Sequence, residues 1–172
     1  NKDGTYPLEA TSRPGSPIIH LQTELDITPW SKVLWSIATQ SKCLLKYKRG
    51  IGIVVVIALP PFPYAKKIEE HSQVGTNLYF DDNWKTSDLS KVHFEEISYN
   101  KSTNKYYVSD NRGYVLYVTG TGKNIEGARR DAYSIIDKIH IPKMLYRNDI
   151  GLKFMNETQK LLRDWGYIGD NL

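Results

Sequence analysis

Three residues near the start of the chain have side chains suited to chemistry. Glu9, Thr11 and Arg13 bring a carboxylate, a hydroxyl and a guanidinium into the segment Glu9-Ala10-Thr11-Ser12-Arg13-Pro14-Gly15-Ser16-Pro17. Taken alone, they read as a surface carboxylate paired with an arginine beside a Pro-Gly loop. A second candidate is Gly120-Thr121-Gly122-Lys123 ahead of a helix, which looks like a phosphate loop. The Walker A pattern needs Gly-x-x-x-x-Gly-Lys-Ser/Thr, whereas here the first glycine is misplaced and Asn124 stands where the hydroxyl residue belongs, so a strand-to-helix turn is expected.

Other reactive side chains carry weaker signals. Cys43 has no recognisable activating base nearby and is expected as a small half-buried residue. Asp81-Asp82-Asn83 is not followed by the ligand pattern of a calcium loop, so a solvated turn is expected. His140, between Ile139 and Ile141, reads as a packed or hydrogen-bonded histidine. His20 and His93 receive no role, and no His/Cys spacing suggests zinc. Arg147 and Asp149 read as a structural ion pair.

Composition narrows the class. The chain has 172 residues, of which 40% are hydrophobic and 24% charged, as in ordinary globular domains. One cysteine rules out an intramolecular disulfide framework and suits a reducing cytoplasm. The apolar run from Ile51 to Leu59 ends at Pro60-Pro61, too short to span a membrane, and the N-terminus has no secretory pattern. The net charge of +4 comes from scattered lysines and arginines, not from a stripe with stacking aromatics, so neither nucleic acid nor membrane is expected as a partner.

These residues are positioned by an α+β arrangement. Thr5 to Thr11 is expected as a strand, with Pro7 at an edge, followed by a loop through Pro14-Gly15-Ser16-Pro17. A helix capped by Thr28, with Pro29 first, places Trp30, Val33, Leu34, Ile37 and Ala38 on one apolar face. The chain itself supplies too little to cover that face. Near Arg49-Gly50 the texture changes, and Ile51 to Leu59 reads as a strand covered on both faces. A polar stretch to about Asp88 precedes a three-stranded antiparallel meander, Val92 to Tyr99, Lys105 to Ser109 and Tyr114 to Thr119. An amphipathic helix capped by Asn124 then buries Ile125, Ala128, Ala132, Ile135, Ile136 and Ile139 and exposes Arg129, Arg130 and Asp137. A last helix is expected around Glu157 to Trp165.

The segment Gly113-Tyr114-Val115-Leu116-Tyr117-Val118-Thr119-Gly120-Thr121-Gly122, then Ala128-Arg129-Arg130-Asp131-Ala132-Tyr133, Ile139-His140-Ile141 and Tyr146-Arg147-Asn148-Asp149-Ile150-Gly151 follow one another in a fixed order. That series resembles the C-terminal domain of the phosphoribosylamine–glycine ligase family, and Ile53 to Leu59 is similar to the strand that opens it.

The resemblance implies the end of an ATP-grasp domain over residues 1–49 and a β-rich, barrel-sandwich-like C-terminal domain over 50–172. It implies that Glu9 and Thr11 hold magnesium or manganese, and that Arg13 binds ATP and steadies the phosphoryl or acyl-phosphate oxygens. Thr11 stands where the family has a metal-binding asparagine, and Ser16 replaces an aspartate. The implied reaction activates glycine with Mg-ATP as an acyl phosphate, which phosphoribosylamine captures as an amide in purine biosynthesis. The implied partners are a glycine-like acid, a phosphoribosylamine-like amine and N-terminal domains of the same protein, without which the chain is expected to be inactive. A ligase of the same build with another substrate and a non-catalytic binding or assembly module are the competing readings.

Overall fold

The computed structural model describes residues 1–11, 13–63 and 72–169. Ser12 of the Glu9 segment and the part of the polar stretch within 64–71 lie outside the described residues. Helices α1 (Ile18–Leu25) and α2 (Trp30–Ala38) precede β1 (Ile51–Ala58), β2 (Asn77–Phe80), β3 (Val92–Phe94), β4 (Ile97–Asn100), β5 (Lys105–Val108) and β6 (Tyr114–Gly122). Helix α3 (Ile125–Ile136), β7 (Ile139–His140) and α4 (Gln159–Asp164) complete the order. No helix among the described residues is long and apolar enough to cross a membrane.

The strands form two antiparallel sheets, ordered β1-β6-β3 and β4-β5-β2-β7. The expected meander is therefore split. Val92 to Tyr99 is not one strand, because the N–H groups of Glu95 and Glu96 both donate to the Val115 carbonyl, at 3.1 and 3.0 Å. Two residues facing one make a bulge that turns the chain out of the first sheet and into the second. The β5 strand then pairs with β4 and β2, not with β6.

Strand β1 pairs with β6 from Ile51↔Gly122 to Ala58↔Tyr114. Side chains alternate across a sheet, so Ile53, Val55 and Ile57 share one face with Leu116 and Val118, all of them buried. Helix α3 covers this inner face with Ala128, Ala132, Ile135 and Ile136, and Leu78, Val108 and Ile139 of the second sheet close the same core. Each such aliphatic side chain contributes roughly 1.5–3 kcal/mol on burial. The outer face carries Gly52, Val54 and Val56 beside Tyr117 and Thr119, and the two valines there are only half-buried. The strand is covered on both faces as expected, but unevenly, because among the described residues the short α1 and its preceding loop are what lies over the outer one.

Gly120 and Gly122 belong to strand β6, so the turn is confined to Lys123 and Asn124. A Cβ at Gly120 would sit 2.3 Å from the Ala128 carbonyl oxygen and 2.5 Å from the Ala132 nitrogen. Absence of side chains is what lets α3 lie this close. The helix starts where expected, with the Asn124 side chain accepting from Gly127 N at 2.8 Å.

The first 49 residues depart further from expectation. Residues 5–11 join no sheet among the described residues and are all exposed, and Pro7 offers no N–H for a ladder. Thr28 does not cap α2. Its hydroxyl donates to the Leu44 carbonyl at 3.2 Å and accepts from Lys46 N at 2.8 Å, tying the chain after α2 back to the chain before it. The apolar side of α2 is open, with Leu34, Trp35 and Ile37 at 59, 70 and 69% exposure.

Candidate functional site

The outer face of the first sheet gathers the candidate groups. His93 and Tyr117 are cross-strand partners there, and His20 of α1 stacks on both, with ring centroids 4.5 and 5.1 Å away. One helical turn later Glu24 reaches the same face, its Oε1 lying 2.6 Å from His93 Nε2 and accepting from the Thr119 hydroxyl at 2.5 Å. Leu21 fills the space over Gly52, where a Cβ would meet Leu21 Cδ1 at 2.5 Å. Residues 20, 21 and 24 thus dock α1 on the sheet. Burial holds the His20 imidazole below its ordinary pKa, and the adjacent His93 pushes the same way.

The loop ahead of α1 is anchored to this cluster. Ser16 Oγ donates to the Tyr117 hydroxyl at 3.3 Å. Upstream of that anchor Glu9, Thr11 and Arg13 are exposed, and among the described residues Arg13 Nη1 donates only to the neighbouring Pro14 carbonyl, at 3.1 Å. Glu9 and Arg13 form no ion pair with each other among the described residues. The surface-pair reading of these two residues is therefore replaced by side chains left open to solvent.

Beside Ser16 and Pro17 the same face opens into a groove of about 900 Å3. Its apolar walls come from Val56, Ala58, Phe62 and Leu145, and the rings of Tyr114, Tyr117 and Tyr146 line it as well. Phe62 meets Tyr114 edge to face at 4.8 Å. Glu95 and Glu96, the bulge residues, add two carboxylates, and Arg112 and Arg147 stand at the margin. Glu96 is 5% exposed; its Oε2 accepts from Gly113 N at 3.0 Å, while its buried Oε1 has no partner. Burial raises the Glu96 pKa above the carboxylate norm, and it raises that of the Tyr117 phenol too, with the charges of Glu95 and Glu96 adding to the effect.

Arg147 and Asp149 form the expected ion pair, with Nε–Oδ1 at 2.8 Å and Nη2–Oδ2 at 2.7 Å, which lowers the Asp149 pKa. Their loop is held by α3. Arg129 donates to the carbonyls of Asn148, at 2.9 Å, and Ile150, and the Tyr133 hydroxyl donates to the Arg147 carbonyl at 2.6 Å. Arg129 is thus a loop clamp, not the free surface cation its helical position suggests.

The remaining candidates lie apart. His140 is exposed on β7, not packed, because its neighbours Ile139 and Ile141 take the inward positions. Cys43 is half-buried. Asp81 makes a turn, its carboxylate accepting from Asn83 N at 3.2 Å. No group of three His, Cys, Asp or Glu residues that could hold a metal ion occurs among the described residues.

Residues 53–153, more than half of the chain, match the family described as phosphoribosylglycinamide synthetase, C domain. The chain belongs to this family. Among relatives of this phosphoribosylglycinamide synthetase C domain, the phosphoribosylamine–glycine ligase of Corynebacterium ammoniagenes is 26% identical over 153 residues, covering 87% of this chain and 33% of the relative. That of Archaeoglobus fulgidus is 50% identical over 50 residues, which cover 29% of this chain and 10% of the relative. The crystal structure of the phosphoribosylamine–glycine ligase from Thermotoga maritima has a similar fold, with a TM-score of 0.64 at 24% identity, over 84% of this chain and 33% of that one. The chain therefore spans about a third of the length of its longer matches. The clamp of α3 on the 147–151 loop lies inside the family region, so two separate sequence fragments of the resemblance meet in space.

Proposed function

We propose that the chain is the C-terminal portion of an ATP-dependent carboxylate–amine ligase of the phosphoribosylamine–glycine ligase type, comprising the end of an ATP-grasp domain (1–49) and a barrel-sandwich-like C-terminal domain (50–172). The reaction is activation of glycine by Mg-ATP as an acyl phosphate and capture by phosphoribosylamine to give an amide, ADP and phosphate, in the cytoplasm as part of purine biosynthesis. The family match over residues 53–153 is the observation that carries this reading.

The first residues suit the cation that such a reaction requires. Glu9 and Thr11 offer solvent-facing oxygens of the kind magnesium or manganese takes, and among the described residues the Arg13 guanidinium is committed only to a neighbouring carbonyl. Magnesium wants about six oxygens, so Glu9 and Thr11 would supply part of its shell, with further ligands from elsewhere in a longer polypeptide. A cation held there would neutralise phosphate charge during transfer. Arg13 steadies the phosphoryl or acyl-phosphate oxygens, and the Ser16–Tyr117 bond fixes the segment beside the groove. Upstream domains of the same protein cover the open side of α2, where three large apolar side chains face solvent.

In the polypeptide that includes those domains, Glu9→Ala abolishes glycine-dependent ADP release, and unchanged turnover would remove Glu9 from the metal site. Thr11→Asn tightens magnesium. The 172-residue chain alone gives no turnover. A ligase of the same build acting on a different amine is the second reading, favoured by the uncompensated carboxylates in the groove.

A further inference from the structure

The groove holds more recognition chemistry than a structural seam requires. A carboxylate oxygen buried without a donor is costly, because it has given up water and gained nothing. Glu96 is in that position: one oxygen caps the turn at Gly113, and the other has no partner although the residue lines an open groove. The carboxylate of Glu95 beside it forms no hydrogen bond or ion pair among the described residues.

The groove arginines do not offset these charges. Arg112 is paired with Asp110 at 3.3 Å, and Arg147 is held by both oxygens of Asp149. Counting each pair as neutral leaves the described lining with the negative charge of Glu95 and Glu96. Apart from Ser16 the rest of the described lining is apolar or aromatic, and faces of tyrosine attract cations as well as apolar bodies. Its volume falls in the range of small-ligand sites.

We propose that this groove binds a small organic ligand with a primary ammonium group on an apolar or aromatic body, the ammonium donating to Glu96 Oε1 and lying close to the Glu95 carboxylate. The Tyr114, Tyr117 and Tyr146 rings enclose the body. The same charges disfavour a phosphate-bearing ligand. The site does not depend on the ligase reading, since it needs neither ATP nor the Glu9 segment.

The test uses the chain itself at pH 7.5 without nucleotide, and three probes of similar size: tyramine, its neutral analogue p-cresol, and ribose 5-phosphate. Titration followed by calorimetry and by amide chemical shifts gives saturable tyramine binding with shifts at residues 95–97 and 112–117. The p-cresol affinity is about tenfold lower, as expected for loss of one charge-assisted hydrogen bond, and ribose 5-phosphate binds more weakly still. Glu96→Gln lowers tyramine affinity about tenfold and leaves p-cresol unchanged. Should Glu96→Gln fail to fold, the exposed Glu95→Gln gives the same comparison with a smaller loss. Equal affinity for tyramine and p-cresol, tightest binding of ribose 5-phosphate, or no saturable tyramine binding overturns the proposal. None of these outcomes bears on whether Glu9→Ala stops ADP release, so the two readings fail separately.

Discussion

The His20 imidazole lies over that of His93 with the ring centres 4.5 Å apart and the planes 24° from parallel. Besides His93, the charged and titratable groups acting on His20 are Glu24 of its own helix, Glu95 of the bulge and the stacked Tyr117. Glu24 Oε1 is already engaged by His93, at 2.6 Å, and by the Thr119 hydroxyl, so a proton on His20 would have no carboxylate of its own in contact. The His20 pKa in the fold lies below 6.5, so the unfolded chain binds more protons than the fold as pH drops through that range. Stability present at neutral pH is therefore lost on acidification. Denaturant midpoints at pH 7.5 and 5.0 should differ more for the natural chain than for His20→Phe, and equal differences would show that the stack does not titrate.

Glu96 has the opposite sign. Its pKa is raised by burial, so its charged form opposes folding above that pKa and the opposition fades as pH falls through it. Glu96→Gln keeps an oxygen for Gly113 N and removes the charge. The variant should be more stable than the natural chain at pH 7.5 by on the order of 1 kcal/mol, with the gap closing toward pH 4.5. Loss of stability at pH 7.5 would mean the carboxylate is needed in its charged form.

Close approach of α3 to β6 sets a steric limit. Gly120→Val places atoms against the backbone of Ala128 and Ala132, which cannot yield as a side chain can. A loss of roughly 3 kcal/mol is expected in chemical denaturation. A loss under about 1 kcal/mol would show that the helix can shift outward.

The α3 clamp is testable locally. Tyr133→Phe removes one hydrogen bond and should cost about 1 kcal/mol, with hydrogen exchange accelerated over residues 147–151. Unchanged protection there would assign the loop's order to Arg129 alone.

Opening of the α2 face predicts a different pattern. Trp35→Ser with Ile37→Ser should leave the thermal midpoint of the chain unchanged and raise its solubility, because neither side chain is buried. In the longer polypeptide the same pair should loosen the upstream domains. A lowered midpoint in the chain alone would show that the face is already covered.

Much of the inner core was legible because its signals are local. The Asn124 cap and the spacing of Ala128, Ala132, Ile135 and Ile136 specify α3, and the β-branched run marks β1. Pairing was harder. Val92 to Tyr99 has the pattern of one strand, and nothing in that pattern reveals that Glu95 and Glu96 share one carbonyl and send the chain to another sheet. Gly120 and Gly122 look like turn residues, yet their role is the approach of a helix from far along the chain. Helix α1 leaves little trace in the sequence because it is only 8 residues long and starts beside Pro17. Without it, His20 and Glu24 had no common face, and their meeting with His93 and Tyr117 depends on a strand pairing that sequence spacing does not encode. The Glu9, Thr11 and Arg13 segment is legible only as a motif, since among the described residues its one side-chain hydrogen bond is that of Arg13 to the adjacent Pro14 carbonyl.

We propose that this chain completes a carboxylate–amine ligase. The most direct measurement supplies the polypeptide containing the upstream domains with Mg-ATP, glycine and phosphoribosylamine and follows amide, ADP and phosphate together. Equal amounts of the three products, each dependent on both substrates, are predicted. ATP binding with no amide formed from this amine or from other primary amines would contradict it and leave a binding module in its place.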